Sequence, residues 1–323
     1  MLASVALLAT LAACGGGTPA DRRSAGGSAG AFPASVTGKF GIATVARKPV
    51  RVVAMSWTDA DLALALGVTP VGIAKSNNAA GGLEPWTASA LGEAKPVLFS
   101  TLGNDPIEQV AGLAPDLILA TKDYNLDQSY QQLSQIAPVI TYVNAPNTDS
   151  WQQALANAAT ALGVATEGKK LTDDTQGWIA AQRNAHPELA GKTFSYIVAP
   201  NPAGVYTVNT DTDVSAQLLA GLGMRLSPKV LSLPTASIPG RAQLSLENLG
   251  VLDADVILAA ASSEESAGLA KNPVFQGLGA IKRGAYVPLD YTTAVGIAFP
   301  STLSLRWALS QVVPKLSAAA AKA

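Results

Sequence analysis

Residues 107–120, "IEQVAGLAPDLILA", and residues 246–259, "LENLGVLDADVILA", are two versions of one phrase. Aligned without gaps, they share Glu108/Glu247, Leu113/Leu252, Asp116/Asp255, Ile118/Ile257, Leu119/Leu258 and Ala120/Ala259. Each copy opens with helical spacing and closes on a short apolar run of the kind found in strands buried on both faces. Internal duplication is the simplest account. The apolar positions serve a core, so the glutamate is the position that needs its own explanation.

Working outward from the first copy, "VRVVAM" (50–55) reads as a buried strand, and "DADLALAL" (59–66) as a helix closed by Gly67. "VGIA" (71–74), "DLILAT" (116–121) and "PVITYV" (138–143) read as further strands, with helices near 106–113 and 127–136 between them. Such alternation predicts a mostly parallel sheet covered by helices. Around the second copy the pattern repeats, with "TFSYIVA" (193–199) as strand and "DVSAQLLAGLG" (213–223) as helix. Between the halves, 150–186 reads as helix throughout, broken mainly at Gly163, and its second part is long enough to join two lobes as a rod. The expected architecture is α/β: two Rossmann-like α/β lobes joined by a single long helix. The lobes run over 39–147 and 189–323, with the helical segment at 148–188.

With 323 residues, 48% of them apolar, the chain can build two cores. A net charge of -1 and only 14% charged residues supply no basic surface for nucleic acid. The single cysteine, Cys14, follows the apolar run "MLASVALLATLAA", which has the length of a signal-peptide core and is too short to span a bilayer. "Leu11-Ala12-Ala13-Cys14" looks like a bacterial lipobox. It implies a signal peptide over 1–13, lipidation of Cys14, and a flexible tether over 14–38 of glycine-rich, polar composition.

Enzyme readings are poorly supplied. One histidine, His186, sits at the end of the long helix, so triads built on histidine and zinc sites needing several His or Cys ligands have no material. "Gly191-Lys192-Thr193" leads into a strand, whereas a P-loop leaves one. "NTDTD" (209–213) lacks the glycine and glutamate of a calcium loop; Asp211 or Thr212 is expected to cap the next helix, as Thr58 or Asp59 is expected to do in "TDAD" (58–61). What remains is aromatic. Trp57, Trp86, Tyr124, Tyr206 and Tyr291 lie at strand ends and in loops, with Lys122 and Arg241 nearby in sequence. In an open parallel sheet, ligands bind beyond the carboxyl ends of strands, so these residues suggest a cleft with aromatic walls and one or two cations.

"RVVAMSWTDADLALALGVTPVGI", "IEQVAGLAPDLILA", "YQQLSQIAPVI", "LENLGVLDADVILA" and "VFQGLGAIKRGAYVPLD" together resemble the substrate-binding lipoproteins of iron-siderophore ABC importers, a group that also includes vitamin B12 and heme binders. The resemblance runs in order from about residue 40 to 316. It implies a class III, helical-backbone periplasmic binding protein: an extracytoplasmic, lipid-anchored monomer that is not an enzyme and carries no cofactor. A ferric siderophore would be held between the lobes, its iron already coordinated, and delivered to a permease dimer with its ATPase subunits. In this family a glutamate on each lobe docks onto arginines of the permease, and the matching positions are Glu108 and Glu247. Helix chemistry offers a second account of both. Asp105 can cap a helix with Pro106 in first place and Glu108 in a capping box, and Ser245 can cap one with Glu247 in its first turn. Cobalamin or heme remain alternative ligands, and an enzyme or sensor acting on a bound chelate a remote one.

Overall fold

The computed structural model describes residues 31–201 and 204–323; Cys14, the signal-peptide segment and most of the tether lie outside the described residues. A hairpin of β1 (Ala34–Gly38) and β2 (Gly41–Val45) opens the structure. It is pinned to the first lobe by a stack of Phe40 on Tyr130, 4.2 Å between ring centres. The lobe itself contains β3 (Val52–Ala54), α1 (Trp57–Ala65), β4 (Gly72–Ala74), α2 (Pro85–Leu91), β5 (Val97–Phe99), α3 (Ile107–Gly112), β6 (Leu117–Ala120), α4 (Leu126–Ile136) and β7 (Val139–Thr141). Its sheet runs β5-β4-β3-β6-β7, every pair parallel. The uninterrupted apolar runs of β3 and β6 are fully buried, as strands covered by helices on both faces must be.

The expected helical stretch is two helices, α5 (Trp151–Ala161) and α6 (Ala165–Ala185), parted at Gly163 with φ of +71°. At 21 residues, α6 is about 30 Å long and packs on α5 near one end and near Gly221 and Gly223 at the other. The second lobe follows, with β8 (Thr193–Asn201), β9 (Gly204–Val208), α7 (Val214–Gly221), β10 (Arg225–Leu226), α8 (Pro228–Leu231), β11 (Arg241–Leu244), β12 (Val256–Ala260), α9 (Ser263–Lys271), α10 (Pro273–Gly277), α11 (Gly279–Arg283), β13 (Tyr286–Leu289), α12 (Tyr291–Ala298) and α13 (Thr302–Ala320). Its main path is β11-β9-β8-β12-β13. This sheet too is mostly parallel, through β10, β8, β12 and β13, but β9 runs antiparallel to both β8 and β11, because the β8–β9 connection is a hairpin rather than a helical crossover.

The two copies of the repeated phrase land in identical register. Leu117 pairs with Val52 and Val256 with Phe194, so Asp116 and Asp255 each stand one residue before the start of a central ladder. There they do the same work. The Asp116 carboxylate accepts from the amides of Val50 and Arg51 at 2.9 and 2.8 Å. Asp255 accepts from the amide and hydroxyl of Thr193 at 2.7 and 2.8 Å.

A second bridge between the lobes, not legible in the sequence, is α13. Its N-cap Ser301 donates to Asp61 of α1 at 2.8 Å, and Trp307 packs 5.2 Å from Trp86 of α2. At its far end, Ser317 bonds Glu188, and Lys322 donates to the carbonyl of Gly284 at 3.2 Å.

Candidate functional site

The carboxyl ends of β3, β4, β5 and β6 converge on a cavity of about 280 Å³. Trp57 lies at its wall because Ser56 caps α1, accepting from the Asp59 amide at 3.0 Å and leaving Trp57 as the first helical residue. Capping by Thr58 or Asp59 is therefore corrected. Both are buried, and Asp59 is a structural acceptor for the Ser56 hydroxyl at 2.6 Å and for the amide and hydroxyl of Thr121 at 2.9 and 2.7 Å.

Lys122 lines the same cavity but is only 5% exposed, and its Nζ donates to the carbonyl of Asp149 at 2.8 Å. Burial pulls its pKa below the ordinary lysine value, while the carboxylates of Asp59 and Asp149 push it back up. Tyr124 is 62% exposed and Leu102 75%, and together they form an apolar rim. Asp123, between Lys122 and Tyr124 in the chain, is 3% exposed. Its Oδ1 accepts from the Asn125 amide at 2.9 Å, and its carboxyl group lies in hydrogen-bonding contact with that of Asp105. Desolvation, reinforced by the charge of Asp105, pushes Asp123 up to about 8.

The other lobe meets this wall through Phe299, whose ring stands edge-on to Trp57 at 5.6 Å, and through Asn147, whose side-chain amide donates to the Ala298 carbonyl at 3.2 Å. Tyr291 begins α12 just past the end of β13, partly exposed, its hydroxyl donating to Glu265 at 2.5 Å. Tyr206 is half-buried on β9 opposite Val198, near the open end of β8.

Tyr206, Tyr291, Trp86 and Arg241 do not line this cavity, and the last two are engaged elsewhere. Trp86 is 4% exposed; its indole N–H donates to Asp61 at 2.7 Å, and its ring fills the joint between α2 and α13. Arg241 sits on the edge strand opposite Val208, farther from the open end of β8 than Tyr206, and pairs with Asp213 at 2.6 Å. Asp213, not Asp211 or Thr212, is the N-cap of α7, accepting from the Ser215 amide at 2.9 Å. The structure thus gathers Trp57, Lys122 and Tyr124 into one cavity, adds Asp123 to its lining and sets Phe299 against Trp57, neither of which stood out in the sequence. Nothing in the stretch "TKDYN" (121–125) marked Asp123, because neighbours along an extended segment point to opposite sides.

The matched glutamates are both exposed, but on different structures. Glu108 lies in the first turn of α3, beside a polar groove of about 560 Å³ that includes Asn104, Gln109 and Gln128. The expected capping box is absent. Pro106 occupies the cap position and Asp105 is turned inward, accepting from the Ser129 hydroxyl and from Asn125. Glu247 is not in a helix at all: it lies in a turn before a 3-10 helix, Leu249–Leu252, and Ser245 receives only the side chain of Asn248 and its amide. Among the described residues, no helix is long and apolar enough to cross a membrane.

Comparison with known proteins places this geometry. A family model described as periplasmic binding protein matches residues 52–290. The chain is 26% identical over 296 residues to the Fe(3+)-citrate-binding protein YfmC of Bacillus subtilis, covering 90% of this chain and 89% of that one. It is 28% identical over 276 residues to a putative ABC transporter substrate-binding lipoprotein, YhfQ, of the same organism, covering 79% of this chain and 80% of that one. The crystal structure of PiaA from Streptococcus pneumoniae in complex with ferrichrome superposes with a TM-score of 0.76 at 28% identity, covering 90% of this chain and 99% of that one.

Proposed function

Because the chain belongs to the periplasmic binding protein family, whose model spans residues 52–290, we propose that it is the extracytoplasmic substrate-binding component of an ABC importer. It captures a ferric siderophore between its lobes and delivers it to a membrane permease. The observation that carries this reading is the cavity at the carboxyl ends of the first lobe's parallel strands, walled by Trp57 and rimmed by Tyr124 and Leu102, with Phe299 of the other lobe across from it. A cavity of about 280 Å³ is too small for a whole chelate and large enough for one face of it, which matches a ligand held between two walls. Aromatic rings and an apolar rim suit the uncharged periphery of such a chelate, with the metal already fully ligated by its own donors. Relatives named for ferric citrate and crystallised with ferrichrome support the same class of ligand.

Titration with ferrichrome, ferric citrate, cobalamin and heme, followed by tryptophan fluorescence, tests it. Saturable quenching by a ferric chelate is expected, most of it lost in Trp57→Phe; no response to any ferric chelate overturns the reading. Glu108 and Glu247 are read as the permease-docking pair, and Cys14 as the lipidated residue that keeps the protein at the membrane surface. Reversing both glutamates to lysine should abolish uptake with ligand affinity unchanged, and Cys14→Ser should release the protein from membranes. Uptake that survives the double reversal excludes the docking role.

A further inference from the structure

The ligand cavity and the groove beside Glu108 share a lining residue, Asn125. Its backbone N–H donates to Asp123 Oδ1 at 2.9 Å, and its side-chain amide donates to the Thr101 carbonyl at 2.7 Å and to Asp105 Oδ1 at 3.3 Å. Asp105 Oδ2 accepts from the Ser129 hydroxyl of α4. Asp105 and Asp123 are both buried, and their carboxyl groups lie in hydrogen-bonding contact. The segment so held, 101–106, links β5 to α3. Leu102 on it forms part of the cavity rim, and Glu108 follows in the first turn of α3.

Two carboxyl groups share a hydrogen bond only when one of them keeps its proton. Lys122, the cation of the cavity lining, is turned to the Asp149 carbonyl and does not replace that proton. Both Asp105 oxygens already accept, from Asn125 and Ser129, so Asp123 is the donor. Desolvation and the charge of Asp105 keep the proton on Asp123 up to about pH 8, and Asp59 of α1 acts in the same direction. Past the end of β7 the facing group is the Tyr142 hydroxyl, which Asp123 helps to raise and which stays uncharged over this range. On α4 it is Ser129, which does not titrate.

We infer that Asp123 is a positioning residue: its carboxyl proton, donated to Asp105, closes segment 101–106 against segment 121–125 and so holds the ligand rim at Leu102 and the docking helix of Glu108 in one fixed relation. Asp123 does not touch the ligand; it acts through the loop. What the two surfaces bind rests on the importer reading above, whereas the tie between them does not. In an opened loop the Asp123 carboxyl is back in water and ionises at about 4. The closed loop keeps its proton to about 8, so opening grows easier as pH rises from about 4 to about 8 and stops changing above that.

The test is hydrogen exchange on the whole protein as a function of pH, with ferrichrome titration beside it. The Leu102 amide, bonded to Ser100 Oγ, and the Val110 amide, bonded to the Pro106 carbonyl, report on the two ends of the segment. Corrected for intrinsic exchange, their protection should fall from about pH 5 to about pH 8, by up to about tenfold per unit, and level off above. Asp123→Asn, whose amide donates to Asp105 without titrating, should remove that dependence. Asp123→Ala, which deletes the donor, should weaken ferrichrome about three- to tenfold, and Asp123→Asn should recover most of that loss. The same pH profile in wild type and Asp123→Asn, or full ferrichrome affinity in Asp123→Ala, overturns the inference. Binding of neither ferrichrome nor ferric dicitrate overturns the importer reading, and the exchange profile then still decides whether the tie exists. If Asp123→Ala does not fold, the comparison of wild type with Asp123→Asn decides alone.

Discussion

In the first lobe the duplicated phrase folds as an α-helix leading into β6; in the second it folds as a turn and a short 3-10 helix leading into β12. The strand halves are the same. Ile118, Leu119 and Ala120, like Ile257, Leu258 and Ala259, are fully buried, and Asp116 and Asp255 hold the start of the neighbouring central strand in one register. The part under tertiary constraint on both faces kept its structure; the part at the surface kept an exposed glutamate and the leucine, Leu113 or Leu252, that anchors it to the core. Since neither glutamate makes a capping bond, local helix chemistry explains Glu108 weakly and Glu247 not at all. Their common feature is outward placement on equivalent connections.

The comparison can be broken most forcefully in the strands. Leu119→Ala and Leu258→Ala should each cost about 2–5 kcal/mol, because both remove a side chain from a fully packed sheet. Urea unfolding measures both, and a marked inequality would mean that the lobes differ in packing despite equal burial. Next in size is Asp61, which has no counterpart of its kind in the repeat. It is enclosed and receives bonds from Trp86, Thr87 and Ser301, and desolvation still raises it to about 7. A carboxyl group raised on folding stabilises when protonated, so its contribution is full below about pH 4 and is lost as pH rises toward 7. The slope is at most ~1.4 kcal/mol per pH unit, and Asp61→Asn should flatten it in thermal or denaturant melts at pH 4 to 7.

Smaller again are the strand clamps. Asp116→Ala and Asp255→Ala should each cost about 0.5–1.5 kcal/mol, the second more than the first because its donors are part-buried and those of Asp116 exposed, and hydrogen exchange should speed at Arg51 and Thr193 respectively. Smallest is the glutamate pair. Glu108→Lys should lower stability by about 0.3–1 kcal/mol through the helix dipole, and Glu247→Lys by less, while both impair uptake equally. Equal stability losses would show that the two connections are more alike than their backbones.

Much of the fold was legible because it is written in period and repetition. β3, β4, β6 and β7 fall inside the apolar runs that announced them, and the break at Gly163 divided α5 from α6 where the composition placed it. The antiparallel edge of the second lobe was not legible, since β9 and β11 carry no sign of the hairpin that reverses the chain between β8 and β9. At the site, Trp57, Lys122 and Tyr124 were found by position after predicted strands, a rule that holds for any parallel sheet. Trp86 obeyed no such rule: an aromatic residue in a short helix looks the same whether it lines a cleft or fills the joint with α13.

The sequence by itself determined the duplication, the two sheets and their central strands, and the clustering of aromatic residues at strand ends, because these follow from side-chain period and turn chemistry within a few tens of residues. Only the tertiary structure decided which charges are free. Lys122 is held by Asp149, Arg241 by Asp213, Asp61 is shared between α2 and the cap of α13 240 residues away, and Asp123 is set against Asp105. An ion's availability depends on which distant group the fold brings within 3 Å and on how much water it leaves there, and neither is a property of the residue's neighbours in sequence.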